Sequence, residues 1–479
     1  MKTFLITSGT LLHFLSLLAL AFYGLHRLWL LLRWRQVLRH PLPEPSPLEG
    51  DLPHVTVQLP LYNERFVAAR LLDAVAGLDW PADRLEIQVL DDSTDETCQI
   101  VDERVADWQA RGVPMRVLRR DQRSGYKAGA MAAAMVQTAG EFIAVFDADF
   151  VPPGDFLRRL MPYFSHEGIA VVQARWGFLN ATSSWLTRVQ ALLLGPHFGI
   201  EHQVRFRRGL FFNFNGTAGI WRRHAIDDAG GWQADTVTED LDLSYRAQLR
   251  GWQFVYVDQV AVPSELPESL GAFRSQQQRW AKGSIQTARK ILPRLLATEL
   301  PWMVKKEAMA HLLANLGWLF GAVAALTVLP VVLWRLEGGW RLWQLDILLF
   351  VLATGAILLF FFCHACQRRQ WALLPWLPLL PVVTLGLAPS LSLAALQGLF
   401  RRGGEFVRTP KRGTAAKLRL PGDGAGSKNY LNLILGLYAL IPVVLAWHEY
   451  STLGAAFLLL FPAGFLLIFF RDLVECHQS

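Results

Sequence analysis

Charge is the scarcest ingredient of this sequence. Only 18% of its 479 residues are Asp, Glu, Lys or Arg, against about 25% in a soluble globular protein. Apolar residues make up 52% and the mean hydropathy is +0.25. That deficit excludes a chain solvated by water throughout and assigns part of it to lipid. Cysteine is scarce too. Cys98, Cys363, Cys366 and Cys476 show no paired spacing, which excludes a disulfide framework. Cys363-His364-Ala365-Cys366 has the look of a metal tetrapeptide, but no second Cys/His pair accompanies it, so packing at the end of an apolar span is the better reading. Internal repeats and low-complexity tracts are also lacking.

The formal net charge of +7 fits either nucleic acid or the flanks of membrane spans. The basic residues lie beside apolar runs, at Arg27 to Arg39, at Arg368 and Arg369, and at Arg401 to Arg419. This favours the membrane and lipid headgroups and sets nucleic acid aside.

The first apolar run, Phe4 to Leu32, continues far beyond the small residues Ala19 to Ala21. It exceeds the about 7–15 residues of a signal-peptide core, so a retained anchor is expected over a cleaved signal. The basic residues after it put the next segment in the cytoplasm. A Pro-rich linker follows, and from His54 the pattern changes to an α/β alternation. Apolar strands are expected at His54–Leu59, Leu85–Leu90, Met115–Leu118, Glu141–Phe146, Ile169–Ala174 and Trp252–Val257, with helices such as Thr94–Arg111 and Lys127–Thr138 between them. That alternation implies a mostly parallel sheet covered on both faces, with ligands beyond the carboxyl ends of its strands.

Ser269 to Leu296 is long, basic and amphipathic, which suits the membrane surface. Spans are expected at Ala308–Leu333, Leu345–Cys363, Tyr430–Trp447 and Leu453–Phe470. Trp371 to Phe400 carries Pro375, Pro378, Pro381 and Pro389 between two basic flanks, so a proline-broken interfacial or re-entrant segment is expected there. The count is five crossings, with the N-terminus outside and the C-terminus in the cytoplasm. The resulting division is an anchor (1–39), a linker (40–53), an α/β domain (54–266), an interface helix (267–300), a membrane region (301–400), a cytoplasmic loop (401–428) and two last spans (429–472).

Several motifs carry chemistry. Asp147-Ala148-Asp149 follows the strand 141–146, where two carboxylates spaced i, i+2 converge on one hard cation; a solvated turn is the plainer reading. Asp91-Asp92-Ser93-Thr94-Asp95 ends another strand, and either helix capping or contact with a base or ribose explains it. Gly125-Tyr126-Lys127-Ala128-Gly129-Ala130 opens a helix at which Lys127 can meet a phosphate. Thr238-Glu239-Asp240 precedes a helical run. Thr236 and Glu239 fit a capping box, while Asp240 near the helix N-terminus is expected to be held ionised, as a general base must be. Gln276-Gln277-Gln278-Arg279-Trp280 combines a guanidinium for phosphate oxygens with an indole for a sugar face, or else an aromatic anchor in an interfacial helix.

Taken in order across Gln58 to Trp280, these elements resemble the processive family-two glycosyltransferases, the cellulose, mannan and hyaluronan synthase group. Asp92, Asp147 to Asp149, Thr238 to Asp240 and Gln276 to Trp280 stand where that family has its D, D-x-D, T-E-D and Q-x-x-R-W elements. The resemblance implies a GT-A-type nucleotide-sugar domain inserted between transmembrane helices of a multi-pass protein. It implies Mg2+ or Mn2+ on Asp147 and Asp149, Asp240 as base with Glu239 and Arg279 beside it, and a nucleotide-sugar contacted by Pro60, Tyr62, Glu64, Asp92, Lys127, Asp147, Gln276, Arg279, Trp280, Thr409 and Lys411. Phe406 to Lys411 looks like the synthases' gating loop, with Arg408 where the family has valine. Phe212 to Thr217 resembles the acceptor region, so Asn215, Gly216, Thr217 and Trp280 are expected at a glycan or glycolipid acceptor. The compact plan is nearer to plant mannan and glucan synthase-like proteins and their bacterial relatives.

On this reading UDP-glucose is the favoured donor and GDP-mannose the next, with transfer to a growing β-glycan by inversion and a bacterial inner-membrane location. A lipid glucosyltransferase adding one sugar to ceramide or diacylglycerol shares the motifs. A degenerate membrane scaffold is the reading from another class, and the intact Asp147, Asp149, Asp240 and Arg279 argue against it.

Overall fold

The computed structural model describes residues 1–46, 48, 50–338, 343–405, 411, 413, 430–449 and 457–478. A seven-stranded sheet forms the centre of the α/β domain. Its strands are β1 (Val55–Leu61), β2 (Leu85–Asp91), β3 (Met115–Leu118), β4 (Phe142–Val145), β5 (Ile169–Phe178), β6 (Gly219–Arg222) and β7 (Gln253–Ser264), in the order β3-β2-β1-β4-β6-β5-β7. All pairings are parallel except those of β6, which runs against both β4 and β5. The sheet is thus mixed but mostly parallel, as its alternating pattern predicts.

Both faces of the sheet are covered. Val55, Val57, Leu59, Ile87 and Val89 face one core with Leu71, Val101 and Phe156, while Ile143, Val145, Val171 and Trp221 face the other with Met131, Ile226 and Leu243. β1 is a buried centre strand, and its one side-chain amide, Gln58, donates from Nε2 to Gln88 Oε1 and Thr138 Oγ1. Pairing of β1 with β2 on one side and β4 on the other puts a topological switch at its carboxyl end, where open α/β sheets bind ligands.

Three strands differ from the sequence expectation. β6 goes unread because it has four residues and begins with glycine. β5 and β7 continue past Ala174 and Val257, across a register shift between Ala174 and Arg175, to Phe178 and Ser264. Polar Asp258 and Gln259 interrupt the apolar run at that bulge, which hides the continuation.

The helices are α1 (Lys2–Arg39), α2 (Ala68–Ala76), α3 (Thr97–Ala110), α4 (Tyr126–Met135), α5 (Phe156–Leu160), α6 (Trp185–Pro196), α7 (Gln203–Arg207), α8 (Arg223–Asp228), α9 (Glu239–Leu249), α10 (Leu270–Leu296), α11 (Trp302–Leu312), α12 (Leu316–Leu336), α13 (Trp343–Phe350), α14 (Ala356–Gln367), α15 (Leu379–Phe400), α16 (Tyr430–Glu449) and α17 (Leu460–Gln478). A π-helical turn, His197–His202, joins α6 to α7. Among the described residues five helices are long and apolar enough to cross a membrane: Lys2–Arg39, Leu316–Leu336, Gln344–Gln367, Leu379–Phe400 and Tyr430–His448. The 38 residues of α1 reach about 57 Å at 1.5 Å per residue, well beyond a hydrocarbon core of about 30 Å. Its surplus turns carry Leu30, Leu31 and Trp34 onto Ile200, Val204 and Phe360 beside the α/β domain.

The span expected from Ala308 starts instead at Leu316, because a turn after α11 separates amphipathic and apolar helices. The break expected in 371–400 is absent from its main part, where α15 is one continuous helix. Pro381 lies in its first turn, where no backbone N–H is needed, and only Pro389 removes an interior bond. α15 lies against the interface helix α10. Leu380 packs with Leu186 and Leu270, and a Cβ on Gly398 would lie 2.5 Å from the Lys282 carbonyl of α10. Of the expected last span, 453–456 lie outside the described residues; α17 carries Arg471, Asp472 and Glu475 and is not among the five.

Candidate active site

A cleft of ≈ 1150 Å³ opens at the carboxyl ends of β1, β2 and β4 and is lined on one side by Gln276, Arg279 and Trp280 of α10. Pro60, Tyr62, Glu64, Asp92, Lys127, Asp147, Asp149, Asn215, Gly216, Glu239, Asp240, Gln276, Arg279, Trp280 and Lys411 all line it. Residues up to 351 positions apart thus share one wall, and every expected site residue that is described is there except Thr217. Thr217 is fully buried behind the wall, where its hydroxyl accepts the Asp147 N–H at 2.9 Å; it supports the D-x-D turn. Thr409 and the rest of Phe406 to Pro410 lie outside the described residues.

The end of the cleft at Asp92 and Tyr62 is held by arginines. Asp92 accepts a two-pronged contact from Arg120, from Nε to Oδ1 at 3.0 Å and from Nη2 to Oδ2 at 2.5 Å. The Arg123 guanidinium stacks 3.3 Å from the Tyr62 ring centre. Ser93 and Thr94, read as helix caps, instead tie the two loops together. Ser93 Oγ accepts the Asn63 N–H at 2.9 Å and Thr94 N–H donates to Asn63 Oδ1 at 2.8 Å.

At the helix start, Gly125 has φ +70° and a Cβ on Gly129 would lie 2.0 Å from the Ser124 carbonyl. Only glycine permits both, and the tight turn aims Lys127 into the cleft. Its ammonium bonds Asp147 Oδ1 and the Gly216 carbonyl, the latter at 2.8 Å. Burial opposes the Lys127 charge, but Asp147, Glu239 and Asp240 outweigh it and hold its pKa above the ordinary value. Asp149 is buried. Its Oδ2 accepts the Glu265 N–H at 3.0 Å and the Lys411 ammonium at 2.9 Å.

Asp240 begins α9, and its Oδ1 accepts the Leu241 N–H at 2.8 Å. The expected capping box does not form. Thr238, not Thr236, is the N-cap residue, and its hydroxyl pairs with Thr287 of α10 at 3.3 Å. The charge state also departs from expectation. Burial first, and the neighbouring Glu239 second, push the Asp240 carboxyl up to about 7 against the pull of Lys127, Leu241 N–H and Arg279. Burial beside a second carboxylate outweighs the helix terminus. The result is a carboxyl group that changes charge near neutral pH. A Cβ on Gly216 (φ +78°) would lie 3.0 Å from Asp240 Oδ2 and 3.4 Å from Lys127 Nζ, so a glycine keeps open the space where base and ammonium meet.

Three further residues escape the sequence reading. Arg120 and Arg123 sit in the polar loop before Gly125, where basic residues flanking a glycine turn are a usable signal. Glu265 follows the hidden end of β7. Its N–H holds Asp149, its carbonyl accepts Lys411 at 2.8 Å, and its carboxylate pairs with Arg70 at 2.6 Å. Asn215 is fixed by its neighbours, its side chain meeting His202 at 2.9 Å and His197 at 3.2 Å.

Among the described residues no group of three or more His, Cys, Asp or Glu side chains forms a metal cage. The Cys363 to Cys366 stretch is no exception; its cysteines are free and His364 packs under Gly195 and Gly199. Asp147 and Asp149 therefore offer two hard oxygen donors and leave the remaining positions to water and substrate oxygens, as Mg2+-type sites do. Each already attracts a lysine ammonium, so the local field suits a cation.

A strand-end D-x-D, a buried carboxyl group and a cationic helix over one cleft fit a nucleotide-sugar-using transferase domain, and the comparisons agree. Residues 53–283 match the family model for "Glycosyltransferase like family 2". The chain is also 37% identical over 398 residues to the "Probable glucomannan 4-beta-mannosyltransferase 9" of Oryza sativa subsp. japonica, covering 79% of this chain and 72% of that protein. The chain belongs to the family-two glycosyltransferases, in the cellulose, mannan and hyaluronan synthase-like group.

Two other relatives are more similar over a shorter stretch. "Glucomannan 4-beta-mannosyltransferase 1" of Oryza sativa subsp. japonica is 45% identical over 276 residues, 56% of this chain and 52% of that protein. "Glucomannan 4-beta-mannosyltransferase 2" of Arabidopsis thaliana is 47% identical over 248 residues, 51% of this chain and 46% of that protein. The chain thus spans about half the length of these two. Among solved structures, the "Mannosyltransferase PcManGT from Pyrobaculum calidifontis in complex with GDP-Man and Mn2+" shares the fold, with TM-score 0.53 and 19% identity over 84% of this chain and 99% of that one.

Proposed function

We propose that the protein transfers mannosyl units from GDP-mannose to the 4-hydroxyl of a growing β-glycan, with inversion, at a cleft on the cytoplasmic side of the membrane. The observation that carries this reading is the meeting of Asp240 with Lys127 and Asp147 in one cleft under Arg279 and Trp280. The donor preference reverses the sequence expectation, which put UDP-glucose first. The relatives are glucomannan 4-beta-mannosyltransferases by name, and the solved structure of like fold holds GDP-mannose.

Asp240 takes the proton of the acceptor hydroxyl as that oxygen forms its bond to the anomeric carbon. The bond from that carbon to the diphosphate oxygen breaks, and the electron pair leaves with the nucleoside diphosphate. Lys127 and Arg279 donate to the departing phosphate oxygens, and Trp280 stacks on the acceptor sugar. Mg2+ or Mn2+ on Asp147 and Asp149, when bound, supplies neutralisation of the diphosphate charge. Asn215 and Gly216 stand on the acceptor wall, and Lys411, bonded to Asp149, faces the diphosphate.

The test is a donor panel on purified protein, with Mg2+ and Mn2+ in parallel arms and linkage analysis of the product. Expected is a β-1,4-linked mannose polymer from GDP-mannose. A single-sugar lipid product would replace the polymer with the lipid acceptor, and no transfer from any nucleotide-sugar would overturn the proposal.

A further inference from the structure

α10 carries Gln276, Arg279 and Trp280 on the face turned to the cleft, and what holds its opposite face comes from the far end of the chain. The Glu475 carboxylate accepts the backbone N–H groups of Leu270 at 2.8 Å and Gly271 at 3.3 Å, the first two residues of α10. One turn on, Arg274 donates to Asp472 Oδ2 at 2.6 Å, and both side chains are nearly excluded from solvent. Arg274 lies about 140° around the helix from Arg279 at 100° per residue, and about 7.5 Å from it along the axis. The acids of α17 therefore grip α10 from behind.

α17 is itself fixed. A Cβ on Gly386 of α15 would lie 2.3 Å from the Gly464 carbonyl of α17, and one on Gly464 would lie 2.7 Å from the Val382 carbonyl. Ile468 packs with Leu270, Phe273, Val383 and Leu387. Backbones in such close approach do not slide without losing their packing.

We infer that Asp472 and Glu475 of the C-terminal helix are positioning residues that set the rotation of α10, and through it the seat of Gln276 and Arg279 for the donor diphosphate. The inference rests on the proposed role of Arg279. A rotation of about 15° moves a group about 6 Å off a helix axis by about 1.5 Å. A misplacement of about 1 Å can cost about 10²-fold where charge must be met.

The experiment uses the full chain in detergent, with GDP binding in Mn2+ and donor kinetics on each sample. Arg274→Asp and Asp472→Arg singly should each weaken GDP binding and raise the donor KM at least tenfold, with kcat changed less. The double swap Arg274→Asp/Asp472→Arg should return both to within about threefold of the starting protein. Folded single variants that bind GDP normally, or a swap as weak as the singles, would overturn the inference. If the reversals do not fold, Glu475→Gln carries the test, together with hydrogen exchange of the 270–280 segment. Exchange there should quicken about tenfold, and unchanged exchange would overturn the clamp. That reading needs no nucleotide, so a parent protein that binds no GDP counts against the proposed function alone.

Discussion

At the scale of the residue, Asp240 shows how one carboxylate is made useful and costly together. Its pKa of about 7 means that the folded protein disfavours the charged form. The shift is upward, so Asp240 adds stability at low pH, and that stability is lost as pH rises through about 7. Asp240→Asn should cut kcat by about 10²–10⁴-fold, the usual worth of a general base. The same change should leave the melting temperature in detergent equal or higher at pH 8, since it removes a disfavoured charge; a lower one would contradict the burial argument. The ionised fraction sets the rate, so kcat/KM should fall tenfold per pH unit below about 7. A divalent ion at Asp147 and Asp149 adds positive charge nearby and should move that midpoint downward. A flat profile from pH 5 to 8 would remove Asp240 from the base role.

At the scale of the element, α10 joins three parts of the molecule that the sequence keeps apart. Its Gln286, fully enclosed, accepts the Val237 N–H at 3.0 Å and donates to the carbonyls of Arg401 at 3.0 Å and Gly403 at 2.8 Å. It thereby ties the strand entering Thr238-Glu239-Asp240 to the chain leading to Lys411. Gly283, one turn earlier, leaves no room for a side chain. A Cβ there would lie 2.4 Å from Thr238 Cγ2 and 2.6 Å from its hydroxyl oxygen. Gly283→Ala must therefore push α10 and the start of α9 apart or turn Thr238 away from Thr287. The expected result is a fall of at least tenfold in kcat with a folded protein, read by size-exclusion profile beside the transfer assay.

At the scale of the whole molecule, a buried ionic network fastens the membrane helices to the α/β domain. Arg205 is almost wholly enclosed between Glu201 at 3.1 Å and Glu307 at 2.9 Å, and Arg27 of α1 also pairs with Glu201. Burial opposes the Glu201 charge, but Arg27 and Arg205 outweigh it and hold its pKa well below the carboxylate range. That contribution is present above the unfolded carboxylate pKa and is lost as pH falls through the folded value. Arg205→Met removes the one cation shared by two buried carboxylates, leaving Glu201 to Arg27 and Glu307 to His26, and should cost about 3 kcal/mol. A thermal melt should show it as a large drop, while Arg84→Met at an exposed pair with Asp51 changes little by comparison.

How much of this was legible follows from distance along the chain. The strands, the D-x-D turn, the glycine helix start and the cationic helix were readable because each depends on a local pattern: apolar periodicity, a tight turn, an amphipathic face. Thr217 was read as a ligand residue because a motif records neighbours in sequence and not which side of the wall a side chain takes. Glu265 and β6 stayed hidden, one behind a bulge and the other in a four-residue strand.

The sequence by itself determined a chain partly solvated by lipid, an α/β domain of mostly parallel strands and the residue types of the site, since these follow from local composition and period. Only the tertiary structure decided that Asp240 is poised near neutrality, that α15 is one unbroken helix packed on α10, and that acids at 472 and 475 hold a helix two hundred residues earlier. Burial and through-space charge depend on which segments pack together, and no local pattern encodes that.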